Sequence, residues 1–273
     1  MLSLPVGGIS AHNRGYLEAL HRAGGPLTVR DAAGLLDLDE AEARRLLGYL
    51  TRRGWLARVR RGLYIPVPLE SRRSGEWVED LWVVAAKTFA PGYLGGWTAC
   101  EHWDLTEQIF NDVMVVTARP IRSRKMVIQG TRLRLKTRPE EMLFGTRKVW
   151  RGQVPVLLSD PSRTIIDILD DPSIGGGIRH VADAVHEYLI SEHRNDALLV
   201  GYGDRLGNRT VFKRLGFILE TTGVDAAELL ADCRTRRSAG ITALDPSSSS
   251  RGRIVRRWNL RANVDLRDVG STL

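Results

Sequence analysis

Sulfur is scarce in this chain: of 273 residues only Cys100 and Cys233 are cysteines, far apart and in no pattern. That excludes a disulfide framework and fits a reducing compartment. Long apolar runs are also missing. The longest, around "LWVVAA" at residues 81–86, is far too short to span a bilayer. The opening "MLSLPVGGIS" lacks the basic flank and apolar centre of a signal peptide, so a cytoplasmic protein without a membrane partner is expected. No internal repeat is present. One stretch lacks negative charge altogether. In "LTRRGWLARVRRGLYIPVP", residues 50–68, Arg52, Arg53, Arg58, Arg60 and Arg61 crowd together with no Asp or Glu. Such crowding is a cost through self-repulsion unless a polyanion is to be met there.

What is present agrees with that. Apolar residues make up 43% of the chain, which excludes wholesale disorder, and the length allows two cores. A formal net charge of +8 favours nucleic acid or another acidic partner.

Residues 10–24 read as a helix with Tyr16, Leu17 and Leu20 inward and Gly24 as its stop. In "TVRDAAGLL", Thr28 is a cap and Asp31 returns its bond. Asp39 and Glu42 repeat that spacing before a third helix. There Leu46, Leu47 and Leu50 form the buried stripe, and Arg44, Arg45, Gly48 and Arg52 fall on the other side. After Gly54 the period becomes alternating: Trp55, Ala57 and Val59 share one face, and Leu56, Arg58 and Arg60 the other. Arg61-Gly62 supplies a turn, and "LYIPVP" returns as a strand. Three helices and a hairpin in this order define a winged helix-turn-helix, with "LESRRSGE" as its boundary. Arg44, Arg45, Arg52, Arg53, Arg58, Arg60 and Arg61 are its candidate DNA contacts. In such proteins the third helix enters the major groove and the wing meets backbone or minor groove. Arginine suits both places, because its fork bridges guanine or phosphate oxygens. The plainer alternatives are a solvated face or a protein-binding winged helix, and Glu40 and Glu42 oppose phosphate at the helix start.

Beyond this, residues 75–90 read as a helix carrying Trp77, Leu81 and Val84, and "GYLGGWTACEHWDLTEQ" as a Gly-rich turn leading into another. "NDVMVVTAR", "KMVIQGTRLRLKTR" and "GTRKVWRGQVPVLLS" read as strands. Helices follow to about residue 237; Ser247–Ser250 is a low-complexity mobile run, and "RIVRRWNLRANVD" a final strand or ordered tail. A second basic surface is expected from Arg122, Arg124, Lys125, Arg132, Arg134, Lys136 and Arg138, with no acid between them in sequence. After Asn208, a good N-cap, Arg209, Lys213 and Arg214 read as outward and Val211, Leu215 and Leu219 as packed. A solvated face accounts equally well for these charges. The sharper account is added DNA-backbone contact, or competition for nucleic acid.

Candidates for chemistry are poor. His180 and His186 find no third partner. Cys100-Glu101-His102 lies in an apolar segment without ligands at metal spacing. Asp160-Pro161 is a helix cap with its N1 proline. Asp167 and Asp171 are one turn apart, and "SIGGGI" lacks the lysine and hydroxyl of a phosphate loop, so it reads as a hinge. No catalytic residue, metal or cofactor is expected.

The succession "RRGWLARVRRGLYIPV", "YLGGWTACEHWDLTEQ", "SDPSRTIIDIL", "GGGIRHVADAV", "LGNRTVFKRLGFILE" resembles the AbiEi family of abortive-infection antitoxins, over roughly residues 10–225. The resemblance implies an α+β protein with a winged helix-turn-helix domain (1–70) and a larger mixed α/β antitoxin domain with a helical C-terminal part (75–240); residues 241–273 read from their own composition as a Ser-rich linker with a basic tail or final strand. It implies repression of the protein's own operon through inverted-repeat promoter DNA; the symmetry of such repeats calls for two copies per operator of a protein expected to be monomeric in solution. It also implies a cognate AbiEii-like nucleotidyltransferase toxin in a type IV phage-defence system, where antitoxin and toxin need form no stable complex. The tail beyond residue 237 departs from the family pattern. Two other readings stay open: a stand-alone winged-helix transcription factor with a sensor domain, and a nuclease-like enzyme. The second would use Asp112 at a strand head but lacks the Glu-x-Lys strand it needs.

Overall fold

The computed structural model describes residues 10–67, 80–128 and 130–266. It divides into two compact units. The first runs to Ala90 and takes in Val127–Thr131 and Val149–Val156; the second comprises Pro91–Met126, Arg132–Lys148 and the chain from Leu157 onward.

In the first unit, α1 (Ala11–Ala23) starts where Ser10 Oγ accepts from Asn13 N and stops at Gly24, whose φ of 65° few other residues tolerate. A two-residue strand, β1 (Leu27–Thr28), leads into α2 (Val29–Leu36), and α3 (Glu40–Arg52) follows. Both later helices begin with the expected reciprocal caps, Thr28 with Asp31 and Asp39 with Glu42. Between them Asp37 adopts φ 53°, a left-handed turn that Asp accepts more readily than most residues. Strands β2 (Leu56–Arg60) and β3 (Leu63–Pro66) form the hairpin, and β1 pairs with β3 to make a three-stranded sheet of order β1-β3-β2. Leu17, Leu20, Leu47, Leu50 and Leu56 meet in the core, with Leu46 and Tyr16 half-buried at its edge. His21 ties α1 to the end of β3 through its Nε2 and Val67 O, 3.0 Å apart. Helix α4 (Leu81–Phe89) closes the unit's main run. Trp77 and the "LESRRSGE" boundary lie outside the described residues.

Strands β4 (Gly92–Leu94), β5 (Asp112–Thr117), β6 (Lys125–Ile128), β7 (Thr131–Thr137), β8 (Thr146–Arg151) and β9 (Val154–Ser159) form a mixed six-stranded sheet in the order β6-β7-β5-β4-β9-β8. The second unit contains its inner strands β5 and β4. β4, expected as part of a Gly-rich turn, is instead an inner strand, antiparallel to β5 and parallel to β9. Its three residues are too few to show a period. Helix α5 (Trp97–His102) follows it. Gly96 allows that connection: a Cβ there would stand 2.3 Å from Ile174 O. Helix α6 (Pro161–Asp170) is capped by Asp160, begins with a proline as expected, and is buried from Pro161 to Leu169. Around it pack α7 (Ile178–Ile190), α8 (Asp196–Leu206) and α9 (Thr210–Thr222), with α10 (Ala227–Arg236) against α9. The chain after α10 forms a small sheet of β10 (Thr242–Ala243), β11 (Arg253–Val255) and β12 (Leu260–Ala262), so the tail contains strands. Val255, Trp258, Leu260 and Leu266 join the same core as α6 and α9. The serine run between them is held at its ends: Ser247 N donates to Asp245, and Arg261 donates to Ser250 O.

Candidate nucleic-acid interface

Helix α3 buries Ala43, Leu47 and Leu50 completely, and that fixes which side faces water. Arg44, Arg45, Arg52 and Arg53 are exposed there. Arg44, Gly48 and Arg52 succeed one another at one-turn spacing. Arg52 folds back over Gly48, its Nη1 3.7 Å from where a Cβ would stand, an ordinary contact distance. Arg53, the C-cap residue, lies over the Tyr49 ring at 5.6 Å. Gly54, at φ 80°, then turns the chain into β2.

In the hairpin, Leu56 is buried and Arg58 exposed, so one face of β2 leaves the core as it nears the tip. Arg58 pairs with Tyr64 but Arg60 with Leu63, so Val59 is an extra residue in the ladder. The expected strict alternation is therefore broken at Val59. Arg61 is exposed in the turn, beside Gly62 at φ 78°. The Arg60 side chain lies outside the described residues. Among the described residues, none of Arg44, Arg45, Arg52, Arg53, Arg58 and Arg61 is paired with a carboxylate.

The second basic surface divides into three. Arg122, Arg124, Lys125 and Arg209 are exposed as expected. The strand cations are largely neutralised by acids distant in sequence. β5 and β7 run parallel with Asp112 opposite Arg132, so its carboxylate takes Arg132 Nε at 2.8 Å and Arg134 Nε at 3.0 Å. Burial alone would push the Asp112 carboxyl up, but these two guanidinium groups outweigh it and hold it below the usual range. The carboxylate that a nuclease reading would use is thus occupied. Lys136 meets Asp171 at 2.9 Å and Asp170 at 3.2 Å, and Arg138 also reaches Asp170.

Lys213 and Arg214 correct the sequence reading. Neither is outward: their exposures are 0% and 4%. Arg214 donates to Leu169 O at 2.6 Å, Asp170 O and Leu244 O at 3.0 Å, and Ala243 O at 3.3 Å. Two of these acceptors are the unpaired carbonyls at the end of α6, where the helix dipole favours a cation. Lys213 Nζ donates to Gly240 O and Thr242 Oγ1. Burial pushes both groups below their usual basicity. The cap lies close to the expected one: Asn208 Oδ1 accepts from Thr210 N, with Arg209 at the capping position.

Arg163 has no counterpart in the sequence reading. It is fully buried, pairs with Asp167 at 3.0 Å, donates to Tyr93 OH and Met142 O, and lies 3.9 Å from the Phe144 ring centre. Its i,i+4 spacing to Asp167 was the available signal. Asp171, meanwhile, faces Lys136 and Ser173, so the two aspartates do not share a site. His180 bonds Thr106 Oγ1 at 2.6 Å and Gly175 O, apart from His186, whose Nδ1 is buried without a partner. Cys100 is fully buried, which pushes its thiol up to about 12. Among the described residues no group of three or more His, Cys, Asp or Glu is placed to hold a metal, and no helix is long and apolar enough to cross a membrane.

Residues 16–67, the three helices and the hairpin, match a family model described as "Transcriptional regulator, AbiEi antitoxin". That span is well under half of the chain, and the model gives no support beyond it. No curated protein matches the chain.

Proposed function

We propose that the first unit is a winged helix-turn-helix that binds duplex DNA, with α3 as the reading helix and β2–β3 as the wing. The chain would then be an antitoxin that represses its own operon at inverted repeats, two copies per operator, and counteracts a nucleotidyltransferase toxin through its second unit. One observation carries the DNA reading: the exposed arginines of α3 continue to the hairpin tip with no carboxylate partner among the described residues. The family match over residues 16–67 supports the regulatory and antitoxin role. Arg44, Arg45, Arg52 and Arg53 serve the groove, and Arg58, Arg60 and Arg61 the flanking backbone. Of the second surface, Arg122, Arg124, Lys125 and Arg209 remain available to an anion.

The test is a mobility-shift titration on promoter DNA at several salt concentrations. Each phosphate neutralised adds about 0.9 to the salt slope, so Arg58→Ala with Arg61→Ala should lower it by about 1–2 across all sequences. An unchanged slope removes the wing from the interface. Co-expression with an AbiEii-like nucleotidyltransferase toxin tests the antitoxin role, since growth should be rescued by the full chain.

A further inference from the structure

A pocket of about 570 Å³ opens in the second unit, between α5, β5, β7, the segment entering β6 and the turn after α6. Its size lies within the ~300–1,000 Å³ of small-molecule sites. Its two sides differ in chemistry. Trp97, Met114, Leu135 and Ile174 make an apolar floor, each less than one-tenth exposed. The Trp97 indole is fixed, with Nε1 donating to Asp112 O at 2.6 Å and its ring stacked on Phe110 at 5.4 Å. The rim carries Arg122, Arg124 and Lys125. This rim is anchored by its backbone, because Arg124 O accepts from Leu135 N at 2.9 Å. Asp112, Asp170 and Asp171 are taken by Arg132, Arg134, Lys136 and Arg138. The three rim cations therefore have no carboxylate partner among the described residues.

A bare inorganic anion would leave the floor unused, and a neutral apolar ligand would leave the cations unused. A flat body bearing several phosphate charges uses both. We propose that this pocket binds a nucleoside di- or triphosphate, its base on the Trp97–Met114–Leu135–Ile174 floor and its phosphates on Arg122, Arg124 and Lys125. The cluster of unpaired cations suits a polyphosphate better than a single phosphate group. Asp171, the acid in the lining, is engaged by Lys136 and by Ser173 Oγ at 2.6 Å, which reduces its repulsion of the ligand.

Calorimetric titration of the full-length protein with ATP, GTP, pyrophosphate and a short duplex of unrelated sequence tests this. Saturable one-to-one nucleotide binding is expected, with pyrophosphate at least about tenfold weaker because it cannot use the floor. The variant Arg122→Ala/Arg124→Ala/Lys125→Ala should lose nucleotide affinity by about tenfold or more while melting like the parent, since these side chains are exposed. The proposal is overturned if neither nucleotide binds at millimolar concentration, or if pyrophosphate binds equally well. It is overturned too if the triple variant binds nucleotide as the parent does, or if the variant loses affinity for the duplex alone.

Discussion

The arginines of α3 and those of α6 and α9 have the same chemistry and a similar helical setting, yet opposite fates. Arg44, Arg45 and Arg52 stand in water, while Arg163 and Arg214 are at most 4% exposed. The difference lies in what the rest of the chain brings to them. Around α3 no carboxylate partner arrives among the described residues. Around α9 the end of α6 and the strand β10 deliver carbonyl oxygens, and around α6 an aspartate one turn on supplies the counter-charge. Surface charge of the first kind is available to a partner; charge of the second kind is consumed in holding the fold.

Substitution can break that contrast. Arg214→Ala should have the largest effect, about 3 kcal/mol of stability, because it strands buried carbonyls at the end of α6. Urea denaturation measures it. Next comes Gly216→Ala, whose new Cβ would stand 2.1 Å from the buried Trp258 ring. Overpacking of this kind costs about 2 kcal/mol and should appear as a lower melting temperature. Asp112 sharpens the contrast through pH. Its folded value lies below its unfolded one, so its contribution is present above the ordinary carboxylate range and is lost as pH falls through the depressed value. Asp112→Asn should flatten that part of the acid-denaturation curve. Smallest of all is Arg44→Ala with Arg45→Ala, expected to change stability by less than about 0.5 kcal/mol while weakening DNA binding in the same preparation.

The pattern of what was legible follows from distance along the chain. Thr28 with Asp31, Asp39 with Glu42 and Asp160 with Pro161 are local devices, and each is found where its spacing placed it. The apolar stripe of α3 is likewise local, and it settles which arginines are exposed. Lys213 and Arg214 were misread because their acceptors lie some 30 residues later, at Gly240, Ala243 and Leu244, or earlier at the end of α6. Asp112 reaches Arg132 only through parallel pairing of strands that are not consecutive. The pocket floor draws single residues from α5, β5, β7 and a turn, so no short window of sequence contains it.

The notch at Gly216 also bears on how this protein is made. A ribosome that has released α9 has not yet released the indole that fills it, nor the carbonyls of Gly240, Ala243 and Leu244 that receive Lys213 and complete the set around Arg214. The second unit therefore cannot close its interior until translation has passed Trp258. A truncation after residue 240 would take the Ala243 and Leu244 carbonyls from Arg214 and leave a gap where Trp258 packs against Gly216.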